Sequence, residues 1–386
     1  MENSAETNAP GDALLSADES RLLTAAKQIC DTVIEPRAEA VDNGDADPAD
    51  NLRALADAGL VGVTTSAEWG GSGCSGAFQR EFTEALTAAC GTTWFILTQH
   101  LGSCGTIAGS RNTTLRERFL RDMAAGRHYV GVGFGHLRRK EPMILATPVS
   151  GGYRLTGTAP WVTGYPYLSG IIFGASLETD TDRHVYLYAP AEESDALRST
   201  PPLPLCAMNA TATTEVELRN LFVPEENFVK WSTRDEMAKG DFYGIAGATA
   251  PPLGCATGAL KTLRSVAEKR GDGLPVLPAA VTAFANEIDE CRATARRVAD
   301  GPKDTPEYKE EALNARAWAI EVAVRVSHAA VAGAGGAGNS RLHPAQRRFR
   351  EAMFYTLTAQ TGDILSATVE RVSRVPPSPQ PPPSSE

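Results

Sequence analysis

The chain has 386 residues, of which 42% are hydrophobic and 22% charged, with a formal net charge of −10. That length buries a large core and suggests two or three domains. The acidic balance argues against nucleic acid as a general partner, because neutralising phosphates needs a basic face.

Residues 1–14 are small and polar and read as a disordered tail. Ser16-Ala-Asp-Glu19 has capping-box spacing and opens a helix running towards Pro36. Leu52, Leu55, Ala56 and Leu60 repeat at helical spacing, and Glu68-Trp-Gly-Gly-Ser-Gly73 is a glycine-rich loop. Further helices are expected around 76–90 and 93–108 and at Leu115–Leu120. From His128 alternation, turn signals and β-branched residues take over, as in Tyr153–Thr158, Gly170–Ala175, His184–Tyr188 and Thr213–Leu218. From Gly240 the chain turns helical again, through Ala256–Glu268, Leu277–Val298, Glu307–Gly333 and a last helix over Pro344–Arg374. Residues 375–386 are proline-rich and read as a second disordered tail. The expected layout is a helical domain over 15–127, a β-domain over 128–233 and a helical domain over 238–374.

The seven cysteines are scattered and lack CxxC spacing, so neither a disulfide framework nor a metal site is indicated. They read as small buried hydrophobes in a reducing compartment. No stretch reaches the roughly 18 apolar residues of a membrane span, and the polar N-terminus lacks a signal-peptide pattern. A cytoplasmic protein is the expectation.

The stretch Gly152-Tyr-Arg-Leu-Thr-Gly-Thr-Ala-Pro-Trp161-Val-Thr163-Gly164 carries the most chemistry. In an extended segment residues i and i+2 share a face, so Trp161 and Thr163 are expected to point the same way. An aromatic plane beside a hydroxyl suits a flat heterocycle with ring nitrogens, such as a flavin. Plain sheet packing is the other reading.

Several strings in order resemble the acyl-CoA dehydrogenase superfamily. They are Leu60-Val-Gly-Val63 with Glu68–Gly73, Leu115-Arg-Glu-Arg-Phe-Leu120 with Ala125-Gly126, Glu215–Asn227 with its Val223-Pro224, and Gly335-Gly336-Ala-Gly338 followed by Pro344 and Arg350. The resemblance covers residues 15–374. It implies an α-helical N-terminal domain, a central β-domain and a C-terminal four-helix bundle, an FAD cofactor, an acyl thioester of CoA or a carrier protein as substrate, and a homodimer or homotetramer. It implies that Trp161, Val162 and Thr163 lie against the flavin, and that Gly131, Thr361 and the Gly335-Gly336 loop contact the cofactor. For the glycines, close helix packing is an equal alternative.

Three departures stand out. The superfamily's glutamate base of a Y-E-G-T string is replaced by Ala359, followed by Gln360 and Thr361, and its other base position falls in Ala246–Pro251, which has no acid. The nearest carboxylates in sequence are Asp241, Glu351 and Asp363. Asp363, one helical turn beyond Ala359, is the candidate for a displaced base, with a helix-surface or capping acid as the other reading. The family's acidic flavin-binding loop reads Gly131-Val-Gly-Phe-Gly-His-Leu-Arg138-Arg139-Lys140, a basic run that suits a phosphate or a solvated loop. The E-R-x-x-F-G string that reaches FAD across a dimer reads Glu268-Lys269-Arg270-Gly271-Asp272-Gly273, leaving Lys269 or Arg270 in the arginine's place. The expectation is a dehydrogenase-like FAD oxidoreductase with its base displaced. The alternatives are a flavin-dependent monooxygenase on the same fold and a non-catalytic flavin-binding relative.

Overall fold

The computed structural model describes residues 15–374, so both proline- and polar-rich tails lie outside the described residues. The helical first third contains α1 (Ala17–Ile29), α2 (Glu35–Asn43), α3 (Ala49–Asp57), α4 (Gly76–Ala89), α5 (Gly91–Ala108) and α6 (Thr113–Ala124). Strands follow as β1 (Val130–Gly133), β2 (Ile144–Val149), β3 (Gly152–Val162), β4 (Gly170–Leu177), β5 (Asp180–Pro190), β6 (Leu197–Ser199), β7 (Thr214–Pro224) and β8 (Phe228–Thr233). The chain closes with α7 (Arg234–Gly244), α8 (Ala250–Arg270), α9 (Val276–Asp300), α10 (Tyr308–Ala334), α11 (Pro344–Tyr355) and α12 (Gly362–Ser373).

The capping box forms at Ser16 and Glu19, satisfying two orphan amides at once. The helix does not stop at Pro36. A wide π turn over Cys30–Ile34 joins α1 to α2, and Pro36 takes a first-turn position where its missing N–H is no loss.

All eight strands form one sheet in the order β6-β7-β3-β2-β4-β5-β8, with β1 running parallel to β4. Leu155, Val162, Phe173, Val185 and Val216 build its buried face. The first and last helical segments share a core in which α4 crosses α8. Gly254 is the contact point: a Cβ there would lie 2.0 Å from Thr87 Oγ1. His100 fixes α5 against the sheet. Its Nε2 lies 3.0 Å from the Met123 carbonyl and its Nδ1 accepts from the Val130 amide at 3.2 Å, so one neutral tautomer satisfies both partners.

The expected last helix over 344–374 is two helices. Between α11 and α12 the chain passes through Ala359 at φ +51°, a left-handed conformation that ends helical pairing. Thr361 then caps α12, accepting from the Ile364 amide.

Candidate active site

The end of β3 carries the aromatic platform. β3 has one residue more than β7 between the pairs Ala159↔Val216 and Val162↔Thr214, a bulge that breaks strict alternation. Trp161 is 56% exposed, whereas Thr163, just past the strand, is 3% exposed. The expected shared face is therefore corrected: the indole lies open and the hydroxyl turns inward. Thr163 Oγ1 lies 3.1 Å from Thr213 Oγ1, which lies 2.9 Å from Thr211 Oγ1. The Gly164 amide donates to the Thr211 carbonyl at 2.9 Å, so the turn and the hydroxyl chain brace each other. A Cβ on Gly164 would meet Ile96 of α5 at 3.1 Å, which brings this strand end onto the first helical domain. Val162 is fully buried in the sheet core, so its side chain serves packing.

A second cluster sits where α8 and α10 end. Arg270 donates from Nε to the Gly333 carbonyl at 3.0 Å and from Nη2 to the Ala334 carbonyl at 2.7 Å. Gly335 follows at φ +65° beneath that guanidinium, a conformation that glycine adopts without strain. A Cβ on Gly336 would touch nothing within 4 Å. Arg270 thus holds the glycine turn of its own chain. Lys269 instead lines a cleft of about 290 Å³ with Glu35, Glu39, Lys261, His343 and Arg347.

The basic run is split. Arg138 pairs with Asp241 through both Nε (2.7 Å) and Nη2 (2.6 Å), a bidentate fork whose hydrogen bonds hold its pKa above the ordinary value. Arg139 is exposed and offers its backbone carbonyl to Arg234. Gly131 packs: a Cβ there would come 2.3 Å from Leu168 Cδ1.

No free carboxylate appears at the two segments expected to carry a base. Asp363 does not share a helix face with Ala359. It lies past the break, half exposed, with Lys309 Nζ at 2.7 Å. Glu351 is 2% exposed and accepts from Gly91 N at 3.0 Å, Arg347 Nη1 at 2.9 Å and Arg348 Nη1 at 3.3 Å. Burial opposes the Arg347 charge, but Glu351 and Glu39 outweigh it and raise its pKa. Asp241 is held by Arg138, so each of the three carboxylates nearest in sequence is paired to a cation.

Sequence reasoning passed over Arg316, Arg347 and Arg348, which rank among the largest fully buried side chains. The signal available was the crowding of Arg347, Arg348, Arg350 and Glu351 into one turn, where a buried pairing network is an alternative to a solvated face.

A helical domain, a single sheet and a helical bundle in that order define a three-domain oxidoreductase fold. Dibenzothiophene monooxygenase from Paenibacillus sp. A11-2 shares it, with a TM-score of 0.76 and 18% identity over 94% of this chain and 99% of that one. So does a glutaryl-CoA dehydrogenase from Mycobacterium smegmatis in complex with FADH2, with a TM-score of 0.79 and 15% identity over 93% of this chain and 95% of that one. In sequence, the mitochondrial isovaleryl-CoA dehydrogenase of Arabidopsis thaliana is 23% identical over 363 residues, covering 88% of this chain and 87% of the relative. The models of the acyl-CoA dehydrogenase N-terminal and C-terminal domains match residues 16–127 and 248–373. The chain belongs to the acyl-CoA dehydrogenase family, flavin oxidoreductases that carry FAD. The groups it presents fit that cofactor: an open indole, a hydroxyl chain and a glycine turn with free space above Gly336.

Proposed function

We propose that the chain is an FAD-dependent oxidoreductase acting on an acyl thioester of CoA or a carrier protein, with the base displaced from the family's usual position. The exposed Trp161 carries this reading, because a large indole left 56% open beside a buried hydroxyl is a stacking surface rather than sheet packing. FAD, when bound, supplies a hydride acceptor. Trp161 stacks on the ring system, and Thr163, held through Thr213 and Thr211, braces the turn behind it. The Gly335-Gly336 turn, set by Arg270, and Lys269 contact the cofactor's phosphates. Arg139, exposed beside the sheet, reaches the phosphate of the thioester arm, while Arg138 keeps its place through Asp241. A homodimer or homotetramer brings the glycine turn to a neighbouring subunit's flavin.

A second reading, a flavin-dependent monooxygenase, is favoured by one observation. Oxygen transfer needs no base for a substrate α-proton, and Ala359 and Ala246–Pro251 supply none. Purified protein separates the two. Anaerobic bleaching of the flavin by acyl-CoA supports the thioester reading. Oxygen from O₂ appearing in a product, with no such bleaching, supports the second. Protein that takes up no FAD ends both.

A further inference from the structure

Arg316 lies inside α10 and is 1% exposed. Its Nη1 donates to the Ala248 carbonyl and its Nη2 to the Thr358 carbonyl at 3.0 Å. Its Nε is buried without a partner, and among the described residues no carboxylate forms an ion pair with it. The other two fully buried arginines differ in this respect. Arg347 has Glu39 and Glu351, and Arg348 has Glu351.

A guanidinium has five N–H donors and a full charge. Two carbonyls meet part of the donor set and supply only dipoles, and an ionised group out of water without a counter-charge costs several kcal/mol. Burial also lowers the pKa of Arg316 to about 10, which still leaves it charged at neutral pH. Beside it, Gln360 donates from Nε2 to the same Thr358 oxygen at 3.2 Å, while its Oε1 is buried with no donor. Arg316 Nη2 and Gln360 Nε2 therefore converge on one carbonyl, and each of these two side chains keeps one buried polar atom unfilled.

The cover over this cluster is thin. Residues Thr356–Thr361 form no regular helix, Leu357 is 63% exposed, and Ala359 stands at φ +51°. The segment thus lies outside the regular helices on either side.

We propose that Arg316 is the cation of a buried anion site, and that a small carboxylate binds it beneath the Thr356–Thr361 segment next to Gln360. The planar fork of the guanidinium matches the two oxygens of a carboxylate, and water or a ligand hydroxyl meets Gln360 Oε1. The site does not rest on the flavin reading: its ligating groups are Arg316 and Gln360, although Thr361 of the same segment is among the expected cofactor contacts.

The test is thermal unfolding of the full, flavin-loaded chain in sodium acetate against sodium chloride at equal ionic strength. Acetate is expected to raise the Tm saturably above the chloride value. Arg316→Gln is expected to abolish that difference. Gln360→Glu, which builds the missing carboxylate into the chain, is expected to raise the Tm in chloride and remove the acetate response. Identical Tm values for the wild-type chain in both salts would overturn the site. So would a Gln360→Glu chain that melts lower and keeps its acetate response, and this second variant decides the matter if Arg316→Gln does not fold.

Discussion

Ala359 and Asp363 stand on opposite sides of a helix break: Ala359 occupies a left-handed turn at φ +51°, and Asp363 begins the next helix with its carboxylate 2.7 Å from Lys309. The four-residue spacing that suggests a shared face therefore has no helix to act through. Replacing Asp363 by Asn removes one side of a half-exposed ion pair. Such pairs contribute about 0.2–1 kcal/mol. Asp363→Asn is expected to leave both flavin content and the rate of anaerobic flavin reduction within about twofold of wild type, as for a minor surface change. Abolished reduction with flavin still bound would restore Asp363 as the base.

Trp161 gives the opposite expectation. Because its indole lies open on the chain, Trp161→Ala is expected to leave the melting temperature of the flavin-free protein almost unchanged. FAD binding is expected to weaken, since an aromatic stack contributes about 1 kcal/mol beyond its area, or roughly fivefold in Kd. Fluorescence titration of FAD into the apoprotein measures this. A wild-type Kd in the variant would remove Trp161 from the cofactor site.

The Glu351 cluster is a matter of stability. Glu351 is the shared anion of Arg347 and Arg348 and the acceptor for the Gly91 amide. Glu351→Ala strands buried charge, and breaking such a pair costs about 3–5 kcal/mol. Chemical denaturation is expected to show a loss of that order. A loss below about 1 kcal/mol would show that Glu39 and the α4 carbonyls satisfy the two arginines alone.

His100 gives the fold an acid-sensitive joint. Burial lowers its pKa to about 4, against an ordinary value of about 6.5, and the Val130 amide occupies the nitrogen that would take the proton. The folded chain therefore binds fewer protons than the unfolded chain between those values. Stability contributed by the neutral ring is complete above about pH 6.5 and falls as pH drops towards about 4, by on the order of 3 kcal/mol. Unfolding measured from pH 7.5 to about pH 4.5 is expected to be less acid-dependent in His100→Gln than in wild type. Equal slopes would assign the acid sensitivity to other groups.

The order of helices and strands was legible because capping and alternation are local signals. Ser16 with Glu19 announces α1, and β-branched alternation announces β3 to β5. The break before α12 was not, because Tyr355-Thr-Leu-Thr-Ala-Gln contains neither glycine nor proline, and the local warnings were Thr361 as a possible cap and the Gly362 that follows it. The direction of Trp161 relative to Thr163 depended on a register shift against β7, which no local pattern in β3 records. Arg316 was hidden for a related reason. An arginine on an alanine-rich helix looks solvated until tertiary packing covers the side of α10 on which it lies.

The extra residue near the end of β3 makes the Trp-Val-Thr platform a question of counting rather than of lettering. Deleting one residue between Ala159 and Val162 would restore plain alternation, and the indole would exchange its outlook with a neighbour while the three letters stayed the same. In this chain the outlook of the platform therefore depends on the length of β3 against β7 and not on the three letters alone.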